Sequence, residues 1–284
     1  MKKTILFILF CLSVFSANAQ VRNINGEDVV RKIDIYLPKQ TAPYITLMFN
    51  YDNSLALEEM HYLTPSNGKV VLKRNGNELV RTEYYSDGKI RGDLKYHFEL
   101  TDNLITRCII DNVRLDGGIV QFSYYYQYEN NRLNVSNRRE FFIKGRDDYE
   151  ELSDRYKETF LWDENGNVYT SDEKPWQWKM EEKQVFPIMF EDREYYETLT
   201  NNTNIDLLML YKEIDNYVRL ERATEWSGKH SKYLVEKDKG TYFDYTFENE
   251  FGGTDLNKGR GKITQMDTYN RHGRLEKIFK IYYW

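Results

Sequence analysis

The chain has 284 residues, with 40 Lys+Arg against 45 Asp+Glu and a formal net charge of −5. This acidic balance repels a phosphate backbone, so nucleic acid is not an expected partner. Beyond the leader described next, Cys108 is the only cysteine, which excludes an intramolecular disulfide and a cysteine-based zinc site.

Residues 1–19 read as a secretory signal peptide. Lys2 and Lys3 form a basic start, Thr4 to Phe15 is apolar, and Ala17-Asn18-Ala19 is a small-x-small cleavage site that makes Gln20 the expected mature N-terminus. Cys11 follows Phe10 inside the apolar run, where lipidation needs a small preceding residue, so no lipid anchor is expected. The expected location is periplasmic or extracellular. No later apolar run has helix-spanning length, and no linker or composition break divides residues 20–284, which read as a single β domain.

The predicted elements are strands. Aromatic residues make up 15% of the chain, with 24 Tyr, and flat rings pack well on a pleated surface. Leu94, Tyr96, Phe98 and Leu100 alternate with Lys95, His97 and Glu99. Val120, Phe122, Tyr124, Tyr126 and Tyr128 alternate with Gln121, Ser123, Tyr125 and Gln127. Tyr242–Phe247 and Lys277–Trp284 follow the same rule, which puts one set on a core face and the other towards water. Cys108 falls on the apolar side of its run and is expected to be buried. Asn25-Gly26, Asn67-Gly68, Asn75-Gly76, Asp87-Gly88, Asp116-Gly117 and Asn165-Gly166 predict type I′ hairpin turns between strands. Asp147–Lys157 is charged and reads as a short helix or a solvated loop. Thr203–Asp215 opens on a capping-box variant, and Leu207, Tyr211 and Ile214 then recur at helical spacing, which predicts a helix closing one end of the sheet. The fold class is therefore all-β: an antiparallel meander forming a large barrel-like sheet, with one or two short helices.

A degenerate hairpin repeat runs through the chain: an aromatic strand end, a polar turn, then an aliphatic strand start. The copies are Tyr51–Leu55, Tyr85–Ile90, Tyr128–Leu133, Trp162–Val168 and Tyr269–Leu275. The last, Tyr-Asn-Arg-His-Gly-Arg-Leu, resembles the YD-type repeat of bacterial exported β proteins. With Asn202-Thr203-Asn204-Ile205-Asp206-Leu207 downstream of several such hairpins, residues 40–284 resemble a family of exported proteins of unknown function from gut-dwelling Gram-negative bacteria, described as having a porin-like fold. The resemblance implies a barrel-like antiparallel sheet and brings no catalytic residues. The copy at Tyr51 departs from the pattern, with Ser54-Leu55 where Gly-Arg-Leu is expected.

No enzyme constellation is present, and no cofactor is expected. His61, His97, His230 and His272 lack metal-ligand spacing, and there is no nucleophile elbow or phosphate loop. Asp163-Glu164-Asn165-Gly166-Asn167 has its glycine too early for a calcium loop and reads as a hairpin turn. The best binding feature is Pro175-Trp176-Gln177-Trp178. Two Trp at i and i+2 share a strand face and could stack on a sugar, with Trp226, Tyr195 and Tyr196 extending the platform; the alternative is that these rings fill the core. The expected function is thus a non-enzymatic binding or interaction module whose partner is a glycan or a cell-envelope protein. An outer-membrane barrel is the further alternative, disfavoured because most strands carry charge on both faces.

Overall fold

The computed structural model describes residues 22–23, 26–64, 68–92, 94–113, 119–144, 148–175, 193–215, 219–248, 253–257 and 261–284. In them, seventeen strands form one sheet. In chain order these are β1 (Val30–Tyr36), β2 (Ile45–Tyr51), β3 (Leu57–Thr64), β4 (Gly68–Asn75), β5 (Glu78–Tyr84), β6 (Leu94–Thr101), β7 (Leu104–Val113), β8 (Ile119–Glu129) and β9 (Arg132–Lys144). They continue with β10 (Asp148–Trp162), β11 (Val168–Pro175), β12 (Glu194–Thr200), β13 (Tyr233–Asp238), β14 (Thr241–Glu248), β15 (Thr254–Leu256), β16 (Lys262–Tyr269) and β17 (Leu275–Tyr283). The leader residues and the segment holding Trp176 and Trp178 lie outside the described residues.

Every ladder is antiparallel. From β1 to β11 each strand pairs with the next. On the other side β1 pairs with β17, and the wall continues through β16, β14 and β13 to β12, with β15 beside the end of β14. The meander therefore curls into a barrel-like wall whose two borders are β11 and β12. Among the described residues no ladder joins those borders. Side chains bridge them instead: Arg193 donates to the Val168 carbonyl at 3.1 Å, and the Tyr195 hydroxyl donates to the same oxygen.

The alternation seen in the sequence is the alternation of the wall. In β6, Tyr96 and Phe98 are buried while Lys95, His97 and Glu99 are exposed. In β2, Ile45, Leu47 and Phe49 face the core while Met48 and Asn50 face out. Cys108 is buried, as its place in the pattern predicts. The charged stretch Asp147–Lys157 is a correction: from Asp148 on it is neither helix nor loop but the first part of β10, paired with β9. Pairing along β9, joined by β11 from Tyr156, overrides a composition poor in strand formers.

The hairpin repeat has a physical basis. In four copies the aromatic sits opposite an aliphatic on the returning strand, Tyr51–Leu57, Tyr128–Leu133, Trp162–Val168 and Tyr269–Leu275, and in the second copy Tyr84, one residue before Tyr85, takes that place opposite Ile90. Such cross-strand pairs fix the register. Four of the loops share one hydrogen-bond scheme, in which the first loop residue donates to the fifth and the fourth donates back to the first. The fourth residue then has positive φ: Leu55, Gly88, Gly166 and Gly273. This is the three-residue hairpin with a left-handed residue after a type I turn, so the expected type I′ geometry at Asp87-Gly88 and Asn165-Gly166 is corrected. Two-residue turns with both central residues left-handed occur at Asp102-Asn103, Asn130-Asn131 and Lys239-Gly240. The departure at the first copy is now legible: Leu55 is its left-handed turn residue, and Leu57 is the aliphatic partner.

Two glycines separate backbone strain from crowding. A Cβ at Gly273 (φ +71°) meets nothing within 4 Å, whereas one at Gly68 (φ +87°) runs into the Tyr84 carbonyl oxygen. Gly273→Ala is expected to cost about 1–2 kcal/mol, the left-handed penalty alone. Gly68→Ala is expected to cost roughly 3 kcal/mol or more, because overpacking against the backbone adds about 1–3 kcal/mol. Urea midpoints of the two variants give the comparison, and equal losses would contradict it.

Candidate functional site

Between β12 and β13 the chain leaves the wall and re-enters the lumen as a plug. The plug holds α1 (Leu207–Glu213) and two short 3-10 turns, Leu220–Ala223 and Glu225–Ser227. Leu207, Leu208, Met209 and Leu210 are all buried, so α1 has no solvated stripe over its first turn and is surrounded by apolar groups. Its N-cap is Asp206, whose carboxylate accepts from the Met209 N–H at 2.9 Å. The expected cap at Thr203 is corrected by this geometry: the Thr203 hydroxyl instead lies 2.8 Å from both Asn201 Oδ1 and the Ile205 carbonyl, with its one proton available to either.

The plug touches the wall on all sides. Asn204 Oδ1 accepts from the Val30 N–H at 2.9 Å and its amide donates to the Tyr51 hydroxyl at 2.7 Å. At the far end of α1, Asp215 pairs with Lys277 at 2.6 Å and Tyr62 donates to the Ile214 carbonyl. The return arm brings Arg219 over the Tyr124 ring and Arg222 over the Phe160 ring. It leaves past the β2–β3, β8–β9 and β10–β11 hairpins: Glu225 accepts from the Leu57 N–H at 2.6 Å, Lys229 N–H donates to Asn131 at 2.7 Å, and Lys232 N–H donates to Gly166 at 3.1 Å. The helix foreseen at one end of the sheet thus lies inside it.

The lumen carries ion pairs as well as apolar side chains. Arg193 meets Asp238 at 2.8 Å, Arg222 meets Glu213 at 2.8 Å, and Arg81 meets Glu83 at 2.7 Å. These cations and acids are nearly water-free, and each pair offsets the cost of burying its members. Glu221 differs. It is 1% exposed, its Oε1 stands 3.5 Å from the Tyr126 hydroxyl, and its Oε2 has no hydrogen-bond partner among the described residues. Burial pushes its carboxyl up to about 7, against the pull of Arg81 and Arg219 and with a push from Glu213. Burial, and then the Glu221 carboxyl, also push the Cys108 thiol and the Tyr126 hydroxyl well above their usual ranges.

His230 locks the plug's exit to the N-terminal turn. Its Nε2 faces the Thr203 carbonyl at 2.8 Å and Glu27 at 3.2 Å, while its Nδ1 faces the Ser231 carbonyl at 3.2 Å. Both ring nitrogens meet oxygen acceptors, so the cationic imidazolium fits the site. Burial lowers its pKa, but the hydrogen bond and charge of Glu27 outweigh this and raise it to about 9. The stability it adds is full below the ordinary value of 6.5 and is lost as pH rises through about 9. Wild-type stability should fall by up to roughly 3 kcal/mol between pH 6.5 and 9.5, at 1.36 kcal/mol per pKa unit. In His230→Gln that slope should vanish; thermal melts across this range test it.

The residues singled out for a glycan platform fare differently. Trp226 is 1% exposed, within the second 3-10 turn of the plug, and offers no ring face to a ligand. It is corrected to a core residue, because a lone ring on a segment enclosed by the wall is packed from every side. Tyr195 and Tyr196 are half-buried neighbours on β12 with committed hydroxyls, Tyr195 to Val168 and Ser231 and Tyr196 to the Phe243 carbonyl. Consecutive strand residues point to opposite faces, so the two cannot share one platform.

A cleft between plug and wall, lined by Phe160, Trp162, Met209, Arg222, Lys229 and His230, has a volume of about 20 Å³. That is room for about one water, not for a sugar. Among the described residues, no group of three or more His, Cys, Asp or Glu is placed to hold a metal ion.

No protein-family model matches the chain, and no curated protein does. Among solved structures it is similar to one described as a porin-like protein from Bacteroides vulgatus ATCC 8482, with 9% sequence identity and a TM-score of 0.48, over 90% of this chain and 98% of that one.

Proposed function

We propose that the protein is an exported, non-enzymatic binding or interaction module that works from its outer face and rims, with the lumen given over to structure. One observation carries this reading: the re-entrant plug occupies the lumen and contacts the wall from β1 to β17, so a ligand has to be met outside. Export rests on the leader at residues 1–19 and the YD-type hairpins. A glycan is the first ligand class to test, because Trp176 and Trp178 follow directly on β11, which ends at Pro175. Membrane insertion is disfavoured by the outward set. Lys95, His97 and Glu99 on β6 and Lys73 on β4 are exposed, and a Lys at the bilayer midplane costs about 2–4 kcal/mol.

The test is affinity electrophoresis of the exported form, prepared without detergent, through gels containing xylan, mannan, pectin or starch. Retardation that Trp176→Ala abolishes is the result expected of a glycan-binding rim. No retardation in any gel would leave a protein partner from the cell envelope. Insolubility without detergent, together with dye release from lipid vesicles, would replace the reading with a membrane barrel.

A further inference from the structure

We propose that Glu221 makes the plug a proton-dependent latch: with its carboxyl protonated the return arm sits closed in the lumen, and as the proton leaves the arm opens towards water.

The geometry sets this up. Glu221 sits on the first 3-10 turn of the return arm and is 1% exposed. The groups around it come from several elements. Arg81 comes from β5, Cys108 from β7, Tyr126 and Tyr128 from β8, Glu213 from α1, and Arg219 and Arg222 from the arm itself, while Glu83 of β5 and Tyr96 of β6 lie against Arg81. Arg81 is bonded to Glu83 and Arg222 to Glu213. Among the described residues no cation comes within ion-pair distance of Glu221, and its Oε2 faces no donor. A neutral carboxyl fits such a place, because a buried carboxylate without a counter-ion must regain water.

The arm is the part able to yield. Its own backbone bonds are single-turn ones, Arg222 N–H to Arg219, Thr224 N–H to Glu221 and Ser227 N–H to Thr224, with no long ladder, and single bonds tie it to its neighbours: Asp206 N–H to the Ala223 carbonyl, Leu57 N–H to Glu225, and Arg222 to Glu213. Short elements of this kind open before a sheet does. The direction follows from linkage. The carboxyl titrates near 7 in the closed arm and at its ordinary 4.5 once opened to water. The opening equilibrium therefore rises about tenfold per pH unit from 4.5 towards 7 and levels off above it. Between pH 5 and pH 8 the change is on the order of a hundredfold.

The measurement is hydrogen–deuterium exchange on the purified protein, with each amide rate divided by its intrinsic rate at that pH. Protection of amides 220–227 is expected to fall on the order of a hundredfold from pH 5 to pH 8, while the strands stay protected. In Glu221→Gln the same amides should be pH-independent. Equal protection at both pH values in wild type, or a Glu221→Gln arm that titrates as wild type does, overturns the proposal. Should that variant fail to fold, infrared spectroscopy of the wild type decides. A protonated carboxylic-acid band present at pH 5.5 and gone at pH 8.5 supports the latch. A band absent at both values, or unchanged between them, overturns it.

Discussion

Replacing Trp226 with alanine is expected to cost about 3–5 kcal/mol, the range for deleting a fully buried Trp. The ring is 1% exposed, and the wall and plug around it cannot close over the space it fills. The companion variant is informative. The indole N–H has no hydrogen-bond partner among the described residues, so Trp226→Phe removes an unsatisfied donor while keeping much of the apolar volume. Its loss should be less than half that of alanine. Urea unfolding followed by tyrosine fluorescence measures both. A Trp226→Ala protein as stable as wild type would mean that the ring does not fill the lumen.

The second large effect is expected at Asp238. It is buried beside Arg193 at 2.8 Å and Lys212 at 3.5 Å, which joins the end of β13 to the approach to β12 and to the plug helix. Asp238→Ala takes the carboxylate away from two cations, one with a fully buried side chain, and should cost about 3–5 kcal/mol. The double variant Arg193→Met with Asp238→Leu should recover part of that loss, because an apolar pair needs no compensation. A double variant less stable than the single one would show that Arg193 matters chiefly through its bond to the Val168 carbonyl. Both belong in one double-mutant series with fixed pH and salt.

How far the sequence announces this molecule depends on the range of each interaction. β6 is readable residue by residue, since alternation is set by the pleat and needs only neighbours. The hairpin repeat is readable as well, because its aromatic and aliphatic partners are six residues apart at most. Turn type is not, since Gly88 and Gly166 suit either hairpin geometry and the loop hydrogen bonds decide. The plug escapes for a different reason. The capping-box variant at Thr203 and the helical spacing of Leu207, Tyr211 and Ile214 predict a helix, but being surrounded on every side is a property of the whole wall. The buried pairs escape too: Arg193 and Asp238 are 45 positions apart, and nothing local marks them as partners. Trp226 follows Thr224-Glu225, a polar context that hides its burial.

The seam between β1 and β17 bears on how the molecule comes to exist. Ile33 lies opposite Ile281, about 250 positions away along the chain. Such contacts form only after a long segment has been organised, and proteins dominated by distant contacts fold slowly. Until β17 arrives, β1 and β16 each present an open edge of unpaired backbone, a template for pairing with another chain. The slowest and most aggregation-exposed stage of folding is therefore expected to end with the docking of residues 275–283, so a chain stopped short of them would accumulate as aggregates even though the remaining hairpins are intact.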